Sequence, residues 1–175
     1  MKKYILKWEI CGIIAVFLLG ALLHFVFEWS GGSRIVGLFA SVNESVWEHF
    51  KQGFWPMFLY AAIEYRFIRG YTGNFLPAKA VAVYIIPAIT GLVFYGYTAI
   101  VGEEILVVDI LIFLVAIIIG QLTSYRIMTS SELPKYTNVL AIIFVVLMAS
   151  VLMLFTFYPP QLPIFFDAEG FYGIP

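Results

Sequence analysis

The chain has 175 residues, 62% of them hydrophobic and 12% charged, with a formal net charge of −1. Soluble domains carry about 25% charged residues, so this composition cannot coat a water-exposed globule, and lipid must be the solvent for most of the chain. A near-zero charge with no basic stripe excludes a nucleic-acid partner, and the lone cysteine, Cys11, excludes an internal disulfide and a thiolate zinc site.

Crossing the hydrocarbon core takes about 20 mostly apolar residues. The first such stretch covers about residues 8–27. Lys2, Lys3 and Lys7 precede it as they would a secretory signal. The apolar run Ile10–Phe27 is longer than the roughly 7–15 residues of a signal core, and no A-x-A site follows. It is read as a retained transmembrane helix, broken by Gly31 and Gly32.

The segment after the glycines contains Ser41-Val42-Asn43-Glu44-Ser45-Val46-Trp47-Glu48-His49-Phe50-Lys51. Ser41 and Glu44 have capping-box spacing, and Asn43 is itself a good cap, so a helix is predicted to start at 41–43 and run into the second span. That span, about 54–68, is the shortest and carries Pro56 and Glu64. The third covers about 80–101, the fourth 105–122 and the fifth 139–158. Trp8, Trp29, Trp55, Tyr84, Tyr125 and Tyr158 fall near span ends, where amphipathic rings favour the headgroup region. Gly91 and Gly96 are read as sites of close helix packing.

Orientation follows from the basic residues. Lys2, Lys3, Lys7, Arg66, Arg69, Lys79, Arg126 and Lys135 fall on one side, and only Arg34 and Lys51 on the other. The positive-inside rule places the first group in the cytoplasm. The expected fold is all-α: a polytopic integral membrane bundle of five transmembrane helices, N-in and C-out, forming a single domain over 1–175. The extracytoplasmic parts are the loop 28–53 and the tail 159–175. No internal repeat supports an inverted-repeat transporter.

Both histidines and three glutamates lie within one stretch, from His24 to His49, on the predicted outer side. His24 and Glu28 are four apart on one helix, as are Glu44 and Glu48 on the next, so each pair shares a face. Imidazole and carboxylate are the usual ligands of zinc, iron or manganese. His24, Glu28, Glu44, Glu48 and His49 are therefore the candidate metal ligands, with Glu44, Glu48 and His49 the candidate catalytic groups. A bound divalent ion would activate water for hydrolysis. Without one, Glu28, Glu44 or Glu48 with His49 forms an acid–base set. The competing reading is structural: a Glu44 cap, a Glu48–Lys51 ion pair and a His24–Glu28 hydrogen bond.

Elsewhere, Glu64 is expected to pair or snorkel near the cytoplasmic face. Asp109 is expected at a helix N-terminus or facing the outer site, and Gln121 to hydrogen-bond between helices. The tail 159–175 is too aromatic for a solvated segment. It is expected to fold back over the outer loop and bring Asp167 toward the polar cluster.

The strings His24-Phe25-x-x-Glu28-Trp29-Ser30, Asn43-Glu44-Ser45-x-Trp47-Glu48-His49 and the Pro-Pro…Gly-x-Tyr-Gly-Ile tail resemble a family of small, uncharacterised prokaryotic multi-pass membrane proteins. The resemblance spans nearly the whole chain, implies a plasma-membrane address and carries over no activity. The three-histidine pattern of alkaline-ceramidase-like membrane hydrolases is absent. The leading expectation is a membrane-embedded, metal-dependent enzyme with an outward His/Glu site for a lipid, lipid-linked or small-molecule ligand. The alternative is a non-catalytic permease or accessory subunit, which predicts a continuous polar path through Glu64, Asp109 and Gln121.

Overall fold

Each apolar run lies along a helix that extends beyond it at one end or both, because backbone hydrogen bonding has no reason to stop where the hydrocarbon does. In a computed structural model describing residues 1–167 and 169–175, α1 runs over Lys2–Trp29, α2 over Arg34–Gly37 and α3 over Val46–Ile68. They are followed by α4 (Phe75–Val101), α5 (Leu106–Met128) and α6 (Tyr136–Phe157). A 3-10 turn, Pro163–Phe165, and one isolated antiparallel bridge between Phe166 and Tyr172 shape the tail.

Four helices, α1, α4, α5 and α6, are long and apolar enough to cross a membrane. Their outward faces are greasy. On α1 the exposed residues Ile14, Leu18, Leu22 and Phe25 repeat at helical spacing, and on α6 Leu140, Ile143, Phe144 and Leu147 do the same. Apolar faces this continuous are not found against water. The chain is a helical membrane protein.

The remaining long helix, α3, is central. It packs against α1, α4 and α6 and contacts the tail's 3-10 turn. Its first half is buried on every side, from Lys51 through Met57. A helix half shielded from lipid all round tolerates polar residues, which is why α3 carries Glu48, Lys51 and Gln52 there. Glu64 lies on the buried face of a second half that exposes Phe58, Leu59, Ile63 and Phe67. Together they make α3 read as the weakest span. Pro56 lies within it without ending it. Proline cannot donate to the carbonyl four residues back, so Gln52 O loses its helical partner. At that point α1 presents Gly20, where an added Cβ would lie 2.6 Å from Gln52 O. The two helices are as close as they are because no side chain intervenes.

Connections place the helix ends. Asn74, ahead of α4, donates to Ile127 O at 3.0 Å and Ser131 O at 2.9 Å and accepts from Leu133 N at 2.8 Å. The α3–α4 and α5–α6 turns therefore share one end of the bundle, the N-terminal end. The loop 30–45 and the tail share the other, the tail end. Gly31 and Gly32, at φ 70° and 76°, end α1 as expected.

Three expectations need correction. The helix before the second span begins at Val46, not at 41–43, with Ser45 as N-cap accepting from Glu48 N at 3.4 Å. Residues 41–44 are tied up by other partners, which leaves the second, identically spaced S-x-x-E to start the helix. Lys79 is not a loop residue: it is buried in α4. Of the two α4 glycines, Gly91 has a neighbour, with Phe50 3.1 Å from an added Cβ, whereas Gly96 faces open space.

Candidate metal centre at the tail end

Three side chains from two helices and a loop meet at the tail end. His24 Nε2 lies 3.4 Å from Glu44 Oε1, and His49 Nε2 lies 3.5 Å from Glu44 Oε2. The imidazole rings are 5.5 Å apart between centroids. One ligand atom from each residue falls within 4.8 Å of the other two. The histidines are half-buried and Glu44 is exposed, so the group sits at a mouth rather than in a sealed interior.

Each ligand is held by a second partner. His49 Nδ1 lies 2.9 Å from Ser45 O. A carbonyl only accepts, so Nδ1 carries the proton, and the Nε2 lone pair points at the Glu44 carboxylate. Such a contact is relieved either by a proton on Nε2 or by a metal ion between the two groups. His24 Nδ1 lies 2.9 Å from the Gln52 amide, which also donates to Ser41 Oγ at 3.0 Å. Ser41 in turn donates to Glu48 O at 3.1 Å. In this arrangement the Gln52 amide nitrogen faces His24 Nδ1; a metal on Nε2 would move the proton to Nδ1 and require Gln52 to present its amide oxygen there, an exchange that a side-chain flip makes.

Glu44 is positioned by the tail. Its N–H donates to Asp167 Oδ2 at 2.6 Å, while the preceding Asn43 donates from Nδ2 to Gly173 O at 2.7 Å. Asn43 Oδ1 accepts from Ser45 N at 2.9 Å. The tail thus folds back over the loop, and Asp167 is buried beneath it.

Glu28 and Glu48 are not part of this group. Glu28 is exposed one turn beyond His24. Glu48 is buried and fully committed: Oε2 is 2.5 Å from Lys51 Nζ and accepts from Val42 N at 3.0 Å, and Oε1 accepts from Thr156 at 3.0 Å. Lys51 also donates to Gly37 O at 2.7 Å and Ala40 O at 3.0 Å, which uses all its ammonium donors. The pair clamps α2 and the following loop onto α3, with a cation at the C-terminal carbonyls of α2 where the helix dipole favours it.

The motif therefore separates into roles. Asn43 binds the tail, Glu44 and His49 face His24, Ser45 caps α3, and Glu48 anchors the loop. Trp47 packs against Phe155 and Phe165, with ring centroids 5.5 and 4.8 Å away.

A second polar cluster lies near the N-terminal end. Lys79 Nζ is 2.9 Å from Glu9 Oε1, 2.6 Å from Glu64 Oε2 and 3.2 Å from Gln121 Oε1. Gln121 and Glu64 meet there as interhelical partners. Glu9 escapes notice in the sequence because an isolated carboxylate among apolar residues has no local partner to mark it. Asp109 is elsewhere, accepting from Tyr97 Oη at 2.7 Å near the α4–α5 turn. It is separated from Gln121 along α5 by the buried apolar residues Ile112, Ala116 and Ile117. Among the described residues Glu64 and Gln121 meet through Lys79 but no continuous polar path joins them to Asp109, which counts against the permease reading.

The fold and these clusters define a helical membrane protein with polar constellations at both ends of a shielded central helix. The chain belongs to the family described as Family of unknown function (DUF6512), whose model matches residues 1–174. No curated protein and no solved structure matches it.

Proposed function

We propose that the chain is a plasma-membrane protein with five spans, α1 and α3–α6, its N-terminus cytoplasmic. At its outer mouth it binds one divalent metal ion through His24, Glu44 and His49, and there it hydrolyses a lipid or lipid-linked substrate. The reading rests on one observation: His24 Nε2 and His49 Nε2 lie 3.4 and 3.5 Å from the two oxygens of the single Glu44 carboxylate, and one ligand atom from each residue lies within 4.8 Å of the others. Ligands at about 2.0–2.2 Å from zinc lie roughly 3.3–3.5 Å from one another, so a small rearrangement of these side chains would bring all three onto one ion.

Two imidazoles and one carboxylate with the fourth position open make the donor set of a hydrolytic zinc site, where the metal lowers the pKa of bound water to about 7. The open position faces the headgroup zone, where an ester or phosphodiester of a lipid resides. Glu28, exposed one turn beyond His24 on α1, is the acidic group this reading assigns to take the water's proton. The aromatic residues Phe25 and Trp29, stacked 5.8 Å apart on the exposed face of α1, give the site a wall at headgroup depth.

Metal analysis of detergent-purified protein tests the reading. One zinc-class ion per chain is expected, lost when His24 and His49 are both replaced by Ala, with metal-dependent release of headgroup or acyl chain in proteoliposomes. Metal-free protein whose melting is indifferent to chelators would refute it.

A further inference from the structure

The cluster at the N-terminal end holds an imbalance that its own side chains do not resolve. Glu9 from α1, Glu64 from α3 and Lys79 from α4 are 0%, 0% and 4% exposed. Two carboxylates thus share one ammonium. Lys79 donates to Glu9 Oε1 and Gln121 Oε1 and lies 2.6 Å from Glu64 Oε2 as an ion pair. Ser124 from α5 adds a bond to Glu9 Oε1 at 2.7 Å. Glu9 Oε2 and both carboxylate oxygens of Glu64 are buried with no hydrogen-bond partner, as is Gln121 Nε2. An uncompensated charge in such surroundings is expensive, and a carboxyl avoids it by taking up a proton.

The other groups facing the cluster do not supply the missing charge. From α3, Tyr60 donates to Trp8 O at 2.5 Å. Among the described residues, Gln121 and Ser124 from α5 bond the cluster and are both neutral, and Cys11 of α1, near Tyr60, offers no positive charge. Gly12 on α1 makes room for Gln121, whose Nε2 would be 2.0 Å from an added Cβ. A sodium ion would need several more oxygens and would sit beside a fixed ammonium. A proton needs neither.

We propose that Glu9, Lys79 and Glu64 form a membrane-embedded proton-binding site, in which the two carboxylates jointly hold one exchangeable proton beside the single Lys79 ammonium. Uptake makes the triad electroneutral. Loss leaves one net negative charge among α1, α3, α4 and α5, and so biases the packing of those four helices. The site shares no residue with the metal centre, so either stands or falls without the other.

Infrared spectroscopy of the full chain in nanodiscs reads this directly. At neutral pH the wild type is expected to show the C=O stretch of a buried protonated carboxyl, shifted in D2O and lost on alkalinisation. Glu9→Gln and Glu64→Gln each leave one carboxylate for one ammonium and are expected to abolish the band. Lys79→Met is expected to double it. Absence of the band in the wild type overturns the proposal whether or not the variants fold. So does its survival in both glutamine variants, or its loss when sodium replaces choline in the buffer.

Discussion

The main-chain N–H of Glu44 donates to the carboxylate of Asp167 at 2.6 Å, across 123 positions of sequence. The tail is therefore a wall of the His24–Glu44–His49 site and not an appendage. A second carboxylate oxygen of Asp167 accepts from Glu169 N at 2.6 Å, so the same side chain folds the tail and fixes the loop. A loop residue placed by a buried acceptor presents its own carboxylate in one direction. That is the preorganisation a metal ligand needs.

Asp167→Ala is accordingly expected to weaken zinc binding about 10–100-fold, the usual effect of removing an outer partner of a ligand, with helix content unchanged. Competition titration against a chelating dye measures it. Unaltered affinity would detach the tail from the site.

Gln52 acts on the other ligand. Gln52→Leu removes the group that holds His24 Nδ1 at 2.9 Å and is expected to cost a similar 10–100-fold in affinity. Gln52→Glu places a carboxylate against Nδ1–H, the arrangement that makes a zinc-bound imidazole more basic, and is expected to bind more tightly than Gln52→Leu. The same titration ranks the three proteins. A wild-type value for Gln52→Leu would mean that His24 is oriented by packing alone.

Lys51 tests the clamp. Removing one partner of a buried ion pair leaves the other uncompensated and costs about 3–5 kcal/mol. Lys51→Met alone is expected to destabilise by that amount in detergent unfolding, and adding Glu48→Gln to recover a substantial part of it. If the double variant is no better than the single, the carbonyl bonds of Lys51 to Gly37 and Ala40 carry the stability instead of the ion pair.

Much of the architecture was legible because bilayer-facing helices announce themselves through apolar length: α1 and α4 enclose their expected spans, and α5 and α6 cover theirs to within one residue. What was hidden lies on α3 and in its partners. A helix shielded from lipid loses the apolar signature. Lys79 was assigned to a loop because a lysine in an apolar stretch looks like an end marker until Glu9, 70 positions earlier, is seen beside it. Likewise the two S-x-x-E strings are indistinguishable by spacing. Only long-range bonds, Glu44 to Asp167 and Asn43 to Gly173, decide that the first string becomes loop and the second a cap. The grouping of Glu44 with both histidines was within reach of spacing arguments. The exclusion of Glu48 was not, because its third partner, Thr156, arrives from α6.

The contact between Gly20 and Gln52 joins fold and site in one experiment. Pro56 frees Gln52 O from the helical ladder, and α1 closes on it where a Cβ would stand 2.6 Å from that oxygen and 2.7 Å from Phe113 Cζ. The first of these atoms is backbone and cannot swing aside. Gly20→Ala is therefore expected to destabilise by about 1–3 kcal/mol, as overpacking does. By moving α1 against α3 it also shifts His24 relative to Gln52 and His49, so zinc affinity is expected to fall with stability. Gly96→Ala is the control. No atom lies within 4 Å of its added Cβ, and replacing a helical glycine by alanine gains roughly 0.5–1 kcal/mol. Unfolding midpoints and zinc affinities of the two variants should move in opposite directions for stability, and only Gly20→Ala should lose metal. If Gly20→Ala lowers stability but binds zinc as the wild type does, the α1–α3 approach supports the bundle without setting the geometry of the centre.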